Sequence, residues 1–351
     1  MNLKIFLFVF LVLSSFPLIA VAQNYNCLVE GRIVSQSSGK PLEDVNVYIS
    51  NTEWGSTTNK DGYFKIKSLP FGNLTVVASM VGYKLKMVNV TLKEKETALV
   101  NFMLEEKNYE INPVIVTGKV PKDWIKNLEK FKEYFLGRGP NTDECKILNP
   151  EVINLTRNES GDLAANASSS IIIVNSALGY KIRCDLVSFK WDEEKQAIQY
   201  IVETYFNELR DTAGNLKNEW IKNRENTYYG STTDFIRSLI HNTYREEGFK
   251  IYRGIKQPSR YKSFYELDNP ITKKINENYF ELNFNGYLRI EYYSDVSYKT
   301  EVSWVKLNFP GVLVDRFGFP VAPLALIVSG NWAYSGIANM LPKYYNPKEE
   351  K

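Results

Sequence analysis

The chain reads as mainly β, or α+β: a small seven-strand β-sandwich near the N-terminus, then a larger β-rich domain with a few helices. Three observations carry this. Residues 30 to 104 hold short runs of alternating apolar and polar residues, punctuated by Gly, Pro, Asn and Asp at the spacing of a sandwich. Further β-type runs recur from Ile171 to Val314. Helical periodicity is confined to a stretch around Trp124 and another around Phe235, with a last short helix expected over Trp332 to Met340.

Residues 1–22 have the parts of an export signal. Lys4 supplies the positive start, Ile5 to Leu13 is an unbroken apolar run, and Ala20-Val21-Ala22 offers cleavage after Ala22. That run is shorter than the roughly 20 apolar residues a spanning helix needs. No transmembrane helix is therefore expected after signal cleavage. Cys27 sits near the new N-terminus, but Asn24-Tyr25-Asn26 before it lacks the small, aliphatic character of a lipidation site.

The sandwich strands follow in order: Cys27 to Ser35, Val45 to Ser50, a short one at Ser56-Thr57, Tyr63 to Lys67, Leu74 to Met80, Tyr83 to Leu92 and Thr97 to Leu104. Tyr63, Lys65 and Lys67 alternate with Phe64, Ile66 and Ser68, the period-two signature of a half-buried strand. Asp61-Gly62 supplies a tight turn, since glycine adopts positive φ freely. Asn59 and Asp61 read as part of that polar turn and not as a calcium loop, which needs more oxygen ligands and a terminal Glu. Trp54 stands beside Gly55 in a loop. It is the one aromatic of this region read as a candidate ligand contact, against the plainer role of folding over the sandwich edge.

The order Gly31-Arg32-Ile33-Val34, Gly39-Lys40-Pro41-Leu42, Val45 to Ile49, Thr57 to Phe64, Leu69-Pro70-Phe71-Gly72 and Val81-Gly82-Tyr83 resembles the carboxypeptidase-like regulatory domain. That family is a prealbumin-like β-sandwich common in Bacteroidota envelope proteins. The resemblance implies a module that accompanies catalysts and transporters without being one. Segments farther on resemble the C-terminal region of the same family: Phe135-Leu136-Gly137, Cys145 to Pro150, Ala177 to Ile182, Tyr229-Gly230-Ser231 with Phe235 to Leu239, and Gly330 to Ala333 with Leu341-Pro342. No catalytic residue is implied for that region.

Past the sandwich, Pro113 and Pro121 bracket Val114-Ile115-Val116, read as one strand. Trp124, Ile125, Leu128, Phe131, Tyr134 and Phe135 recur at helical spacing, and Gly137 with Pro140 ends that helix. Strands are expected at Ile171 to Val174, Gly179 to Phe189, Ala197 to Phe206, Phe249 to Arg253, Tyr279 to Phe284, Tyr287 to Tyr293, Val302 to Phe309 and Val312 to Val314. Between them a helix is expected over 231 to 247, with Ser231 as N-cap, Asp234 in a capping-box relation and Gly248 as stop. The expected organisation is a signal at 1–22, the sandwich at 23–106, a linker and amphipathic helix at 107–136, a β-rich domain of unknown function at 137–345 and a disordered tail at 346–351.

Composition narrows function. With 43 Lys and Arg against 40 Asp and Glu, the net charge is +3, and loss of Lys4 with the signal leaves it near neutral. Nothing calls for nucleic acid as a partner. The 23 Tyr and 19 Phe serve packing first, and stacking surfaces for sugars second. Of the three cysteines, Cys145 and Cys184 form the candidate disulfide, leaving Cys27 unpaired. The lone His241 excludes multi-histidine zinc chemistry and reads as a solvated residue on α-helical spacing with Arg237 and Arg245. No cofactor or metal is expected. Asp211-Thr212-Ala213 resembles a Bacteroidota O-glycosylation site at Thr212. The remaining chemistry lies in carboxylate clusters, Asp143-Glu144, Asp192-Glu193-Glu194 and Glu246-Glu247. These motifs together lead to an exported, non-catalytic binding or assembly module of the envelope, in the periplasm or at the outer membrane or cell surface, with a protein or glycan partner. The alternative is a glycoside hydrolase using two carboxylates on envelope or dietary polysaccharide.

Overall fold

The computed structural model describes residues 26–107, 122–254, 265–267, 271–294 and 298–349. Ala22 and the run Val114-Ile115-Val116 lie outside the described residues. No helix among those described is long and apolar enough to cross a membrane.

The sandwich is built from β1 (Cys27–Ser35), β2 (Asn46–Ile49), β3 (Gly55–Thr57), β4 (Tyr63–Leu69), β5 (Gly72–Ser79), β6 (Lys86–Leu92), β7 (Thr97–Leu99) and β8 (Phe102–Leu104). One sheet runs β4-β1-β7, with β8 also on β1, and the other runs β3-β2-β5-β6. The seventh expected strand is thus divided in two. Its halves keep one parallel register on β1, Leu28 opposite Thr97 and Ile33 opposite Phe102. The break falls where the Val100 backbone crosses Gly31. A Cβ on Gly31 would meet the Val100 carbonyl oxygen at 1.8 Å, so only glycine admits the crossing. Alternate residues of both sheets, among them Val29, Ile33, Val47, Ile49, Phe64, Leu74, Val76 and Phe102, form the closed core.

The region expected as one β-rich domain is held by two apolar clusters. The first belongs to α1 (Lys122–Phe135), the short α2 (Pro140–Asp143), and a six-stranded sheet of β9 (Cys145–Ile147), β10 (Ile153–Arg157), β11 (Leu163–Ala167), β12 (Ile171–Asn175), β13 (Tyr180–Asp192) and β14 (Ala197–Glu208). The long β13 pairs with β14 on one edge, and with β12 and β11 end to end on the other. Leu128, Phe131 and Phe135 of α1 pack on this sheet, so the helix expected in a linker is part of a core. Next comes α3 (Asn218–Tyr228), which sequence periodicity misses. Its buried face is Trp220 and Arg224, a pair with no apolar rhythm. Arg224 is fully buried, ion-paired with Glu208 at 2.7 Å, bonded to the carbonyls of Leu178 and Gly179, and stacked 4.0 Å from the Tyr180 ring centre.

The second cluster gathers α4 (Thr232–His241) with two sheets. These hold β15 (Phe249–Gly254), β16 (Tyr265–Glu266), β17 (Thr272–Lys274), β18 (Tyr279–Leu282), β19 (Tyr287–Ser294), β20 (Lys299–Leu307), β21 (Val312–Asp315) and β22 (Leu326–Gly330). Their orders are β16-β15-β19-β20-β22 and β17-β18-β21. The helix expected to run to residue 247 stops at His241. Asn242 turns left-handed at φ 56° and the Thr243 amide reaches back to the Ser238 carbonyl, a closing turn that ends the helix before Gly248. Tyr244 is buried all the same. The last expected helix is two 3-10 turns, Asn331–Tyr334 and Ile337–Asn339, parted at Gly336. Of the expected disordered tail at 346–351, residues 346–349 are described: Pro347 is buried, while Lys348 and Glu349 are exposed, Lys348 facing Glu247.

The sandwich is joined to β14 by main chain. The Asn51 amide donates to the Thr204 carbonyl at 2.7 Å, and the Phe206 amide donates to Thr52 at 2.9 Å. Lys343 closes the group, its amide on the Asn51 carbonyl at 2.7 Å.

Candidate functional site

Among the described residues a cleft of ≈ 670 Å³ lies between the two C-terminal cores. Its walls are the Arg138–Asn141 segment, β14 at Tyr200 and Val202, the end of α3, the start of α4 and the last segment from Asn331 to Pro342. Tyr229-Gly230-Ser231, Asn331-Trp332 and Leu341-Pro342 meet in its lining. Gly137 takes φ 89° and lies against Gly336, where a Cβ on either would strike backbone of the other strand at 2.5 Å or less. This glycine contact lets the end of α1 and the last segment touch main chain to main chain, with the Ala338 amide on the Leu136 carbonyl at 3.1 Å. Gly230 also needs positive φ, and a Cβ there would meet the Tyr292 ring at 2.4 Å. Its carbonyl accepts the indole N–H of Trp332 at 2.8 Å, which seats Trp332 between the cleft and the Phe235 ring.

The polar groups of the wall are ordered from behind. Asn141 Nδ2 donates to Thr227 Oγ1 at 2.9 Å and to Asn339 Oδ1 at 2.8 Å. Arg237, on helical spacing with His241, donates to the carbonyls of Phe317, Lys343 and Tyr345 at 2.7–2.8 Å. Its helix begins with half of the expected box: Ser231 Oγ accepts from the Asp234 amide, but Asp234 Oδ2 accepts from the Gly230 amide, one residue before the cap, while the Ser231 amide bonds the Tyr228 carbonyl. Burial pushes the Asp234 carboxyl up to about 7. His241 is exposed in a smaller neighbouring hollow, as expected for a solvated residue.

Trp54 is half-buried outside this cleft. It packs on the sandwich core, edge-on to Tyr344 with ring centres 4.9 Å apart, and lines a smaller hollow of ≈ 300 Å³ with Glu208 and Tyr345. Thr212 is exposed on a turn that the Asp211 carboxylate caps at the amides of Ala213 and Asn215. The Cys145–Cys184 disulfide is not formed. Both are free thiols, Cys145 paired with Asn175 on one side of β12 and Cys184 with Ile171 on the other. Two strand spacings, about 10 Å together, exceed the roughly 7 Å that a disulfide tolerates. Asn59 Oδ1 caps the amides of Asp61 and Tyr63, building the polar turn.

None of the three adjacent carboxylate clusters lines the large cleft. Asp192 holds Lys195 and Glu193 takes the Trp191 indole N–H, both at a hairpin tip. One acidic pair escaped sequence reading because strand pairing, not adjacency, creates it: Asp185 lies directly opposite Glu203 on β13 and β14. The register of the expected hairpin was the signal that contained it. Asp185 accepts hydroxyls from Tyr48 at 2.6 Å, Ser79 at 2.8 Å and Ser170 at 2.7 Å, while Ser50 donates to Glu203. Burial raises the Glu203 carboxyl, the Ser50 hydroxyl opposes, and the Asp185 charge adds to the rise. Three of these four hydroxyls come from the sandwich, so the pair joins two units and opens on no large cleft.

Residues 29–116 match the family model of the CarboxypepD_reg-like domain. No curated protein sequence matches the chain. Among solved structures, a cohesin–X-dockerin complex from Acetivibrio cellulolyticus matches at 18% identity over 31% of this chain and 74% of that one, TM-score 0.22. A candidate carbohydrate-binding protein from Bacteroides uniformis matches at 10% identity over 83% and 99%, TM-score 0.20. A candidate membrane-associated protein of unknown function from Bacteroides fragilis matches at 11% over 86% and 96%, TM-score 0.20.

Proposed function

We propose, from the premise that residues 29–116 are a CarboxypepD_reg-like domain, that the protein is an exported, non-catalytic binding module of the bacterial envelope. The sandwich braces a C-terminal body whose cleft receives a protein or glycan partner. One observation carries this reading. The described lining of this cleft holds a single carboxylate, Glu301, and it accepts from Asn331 Nδ2 at 2.8 Å. Glycoside hydrolysis by the usual route needs two carboxyl groups across one bond. A cleft with one acid already engaged suits binding better than turnover.

The export signal at 1–22 and the exposed Thr212 support a place in the periplasm or on the outer membrane or cell surface. A crosslinking pull-down of the tagged mature protein from intact envelopes, read by mass spectrometry, tests the reading. A protein or glycan retained on the bait is the expected result. Turnover of a polysaccharide in a saturating hydrolase screen, abolished by alanine at one carboxylate in a protein that still folds, would replace it with the hydrolase alternative.

A further inference from the structure

We infer, building on the binding reading above, that the cleft between β14, α3 and the last segment takes an uncharged oligosaccharide. Charge in its wall is already committed. Arg138 is ion-paired with Glu133, Arg237 is spent on three carbonyls, and Glu301 holds Asn331. No other charged residue stands in the described lining. A phosphate, sulfate or uronate would have to share Arg138 with Glu133, or compete with three carbonyls for the N–H donors of Arg237.

What the wall leaves uncommitted is neutral. The side chains of Asn226, Tyr229, Thr232, Thr233, Tyr334 and Ser335 make no hydrogen bond to the described residues. Each carries a donor and an acceptor, the same pairing that a sugar hydroxyl offers. An uncharged hydroxyl-rich ligand can satisfy both without leaving a buried charge unpaired. Tyr334 adds a flat apolar surface. It lies under the Arg138 guanidinium at 4.9 Å and still exposes 49% of its area at the mouth. The C–H face of a pyranose lies well on such a ring, and cleft volume in the range of about 300–1,000 Å³ holds a ligand larger than one sugar ring.

The same segments fix the platform's position. Tyr334 follows Trp332, which is anchored on Gly230, and its carbonyl accepts the Arg138 amide at 2.9 Å. The stacking ring therefore belongs to a rigid wall rather than a free loop.

Isothermal titration of the mature protein with neutral tetrasaccharides of gluco, manno, xylo and galacto configuration, beside a tetragalacturonate, tests this. The expected result is binding of at least one neutral member, with Kd unchanged between about 0.05 and about 0.5 M NaCl, because no ion pair forms. Tyr334→Ala should weaken it about tenfold or more, and Asn226→Ala, an exposed change on α3, a few-fold. Circular dichroism and melting temperature confirm that both variants fold. Preference for the uronate with strong salt dependence would overturn the inference. So would sugar binding that neither variant alters, which places the site elsewhere. If no sugar binds at millimolar concentration but a protein is retained in the envelope pull-down, the ligand class falls and the binding reading stands. If neither is seen, both fall.

Discussion

Asp234 shows how one side chain can tie a helix cap to solution conditions. Its burial lifts the carboxyl from 3.8 to about 7, although the Gly230 amide favours the charged form. The folded chain thus holds this proton more tightly than the unfolded one. The stabilisation from this group is complete below pH 3.8 and is lost as pH rises through about 7. We expect Asp234→Asn, which keeps an oxygen acceptor for Gly230, to flatten that decline by roughly 1–3 kcal/mol. Melting temperatures of both proteins across this range decide it, and parallel profiles would refute it. Much of this site was legible: Ser231, Asp234 and the turn of the capping box stand in the sequence. Asn242 as the true helix stop was not, because a lone Asn rarely outranks Gly as a left-handed residue.

At the scale of elements, the sequence revealed periodic strands and hid those without rhythm. The hairpin of β13 and β14 and the sandwich strands alternate clearly. In contrast, β11 is Leu-Ala-Ala-Asn-Ala, too small in side chain to register as a strand, and α3 buries an arginine where a pattern search wants leucine. The cleft was hidden for a different reason. Its walls come from stretches far apart in the sequence, at 138–141, 200–202, 223–237, 301, 319 and 331–345, and no spacing in the sequence says that they meet. The glycine contact between Gly137 and Gly336 is the joint of those walls. Gly137→Ala would force a Cβ within 2.4 Å of the Tyr334 carbonyl at φ 89°. We expect a loss of roughly 1–3 kcal/mol and faster amide exchange over residues 331–341 than elsewhere. Unchanged exchange in that stretch would show that the joint carries no strain.

For the whole molecule, the relevant feature is the seam between sandwich and β14. Main-chain bonds at Asn51 and Thr52 and the hydroxyls gathered on Asp185 link units that composition alone would treat as beads on a string. Scanning calorimetry of the mature protein should therefore give one unfolding transition. Asp185→Ala leaves three hydroxyls without their acceptor, costing roughly 2–4 kcal/mol, and should split that transition in two. Two transitions in the unaltered protein would mean the seam is too weak to couple its sides.

The last segment touches every core in turn: Trp332 in one, Ile337, Met340 and Leu341 in another, and Tyr344 against the sandwich. A ribosome delivers it after the other members of all three cores. Until residues 332–345 appear, the two C-terminal cores lack Trp332 and Ile337, and the sandwich lacks only the cover of Tyr344. Arrival of this segment then acts as the closing step, and its removal would open two interiors and uncover the edge of a third rather than trim one end.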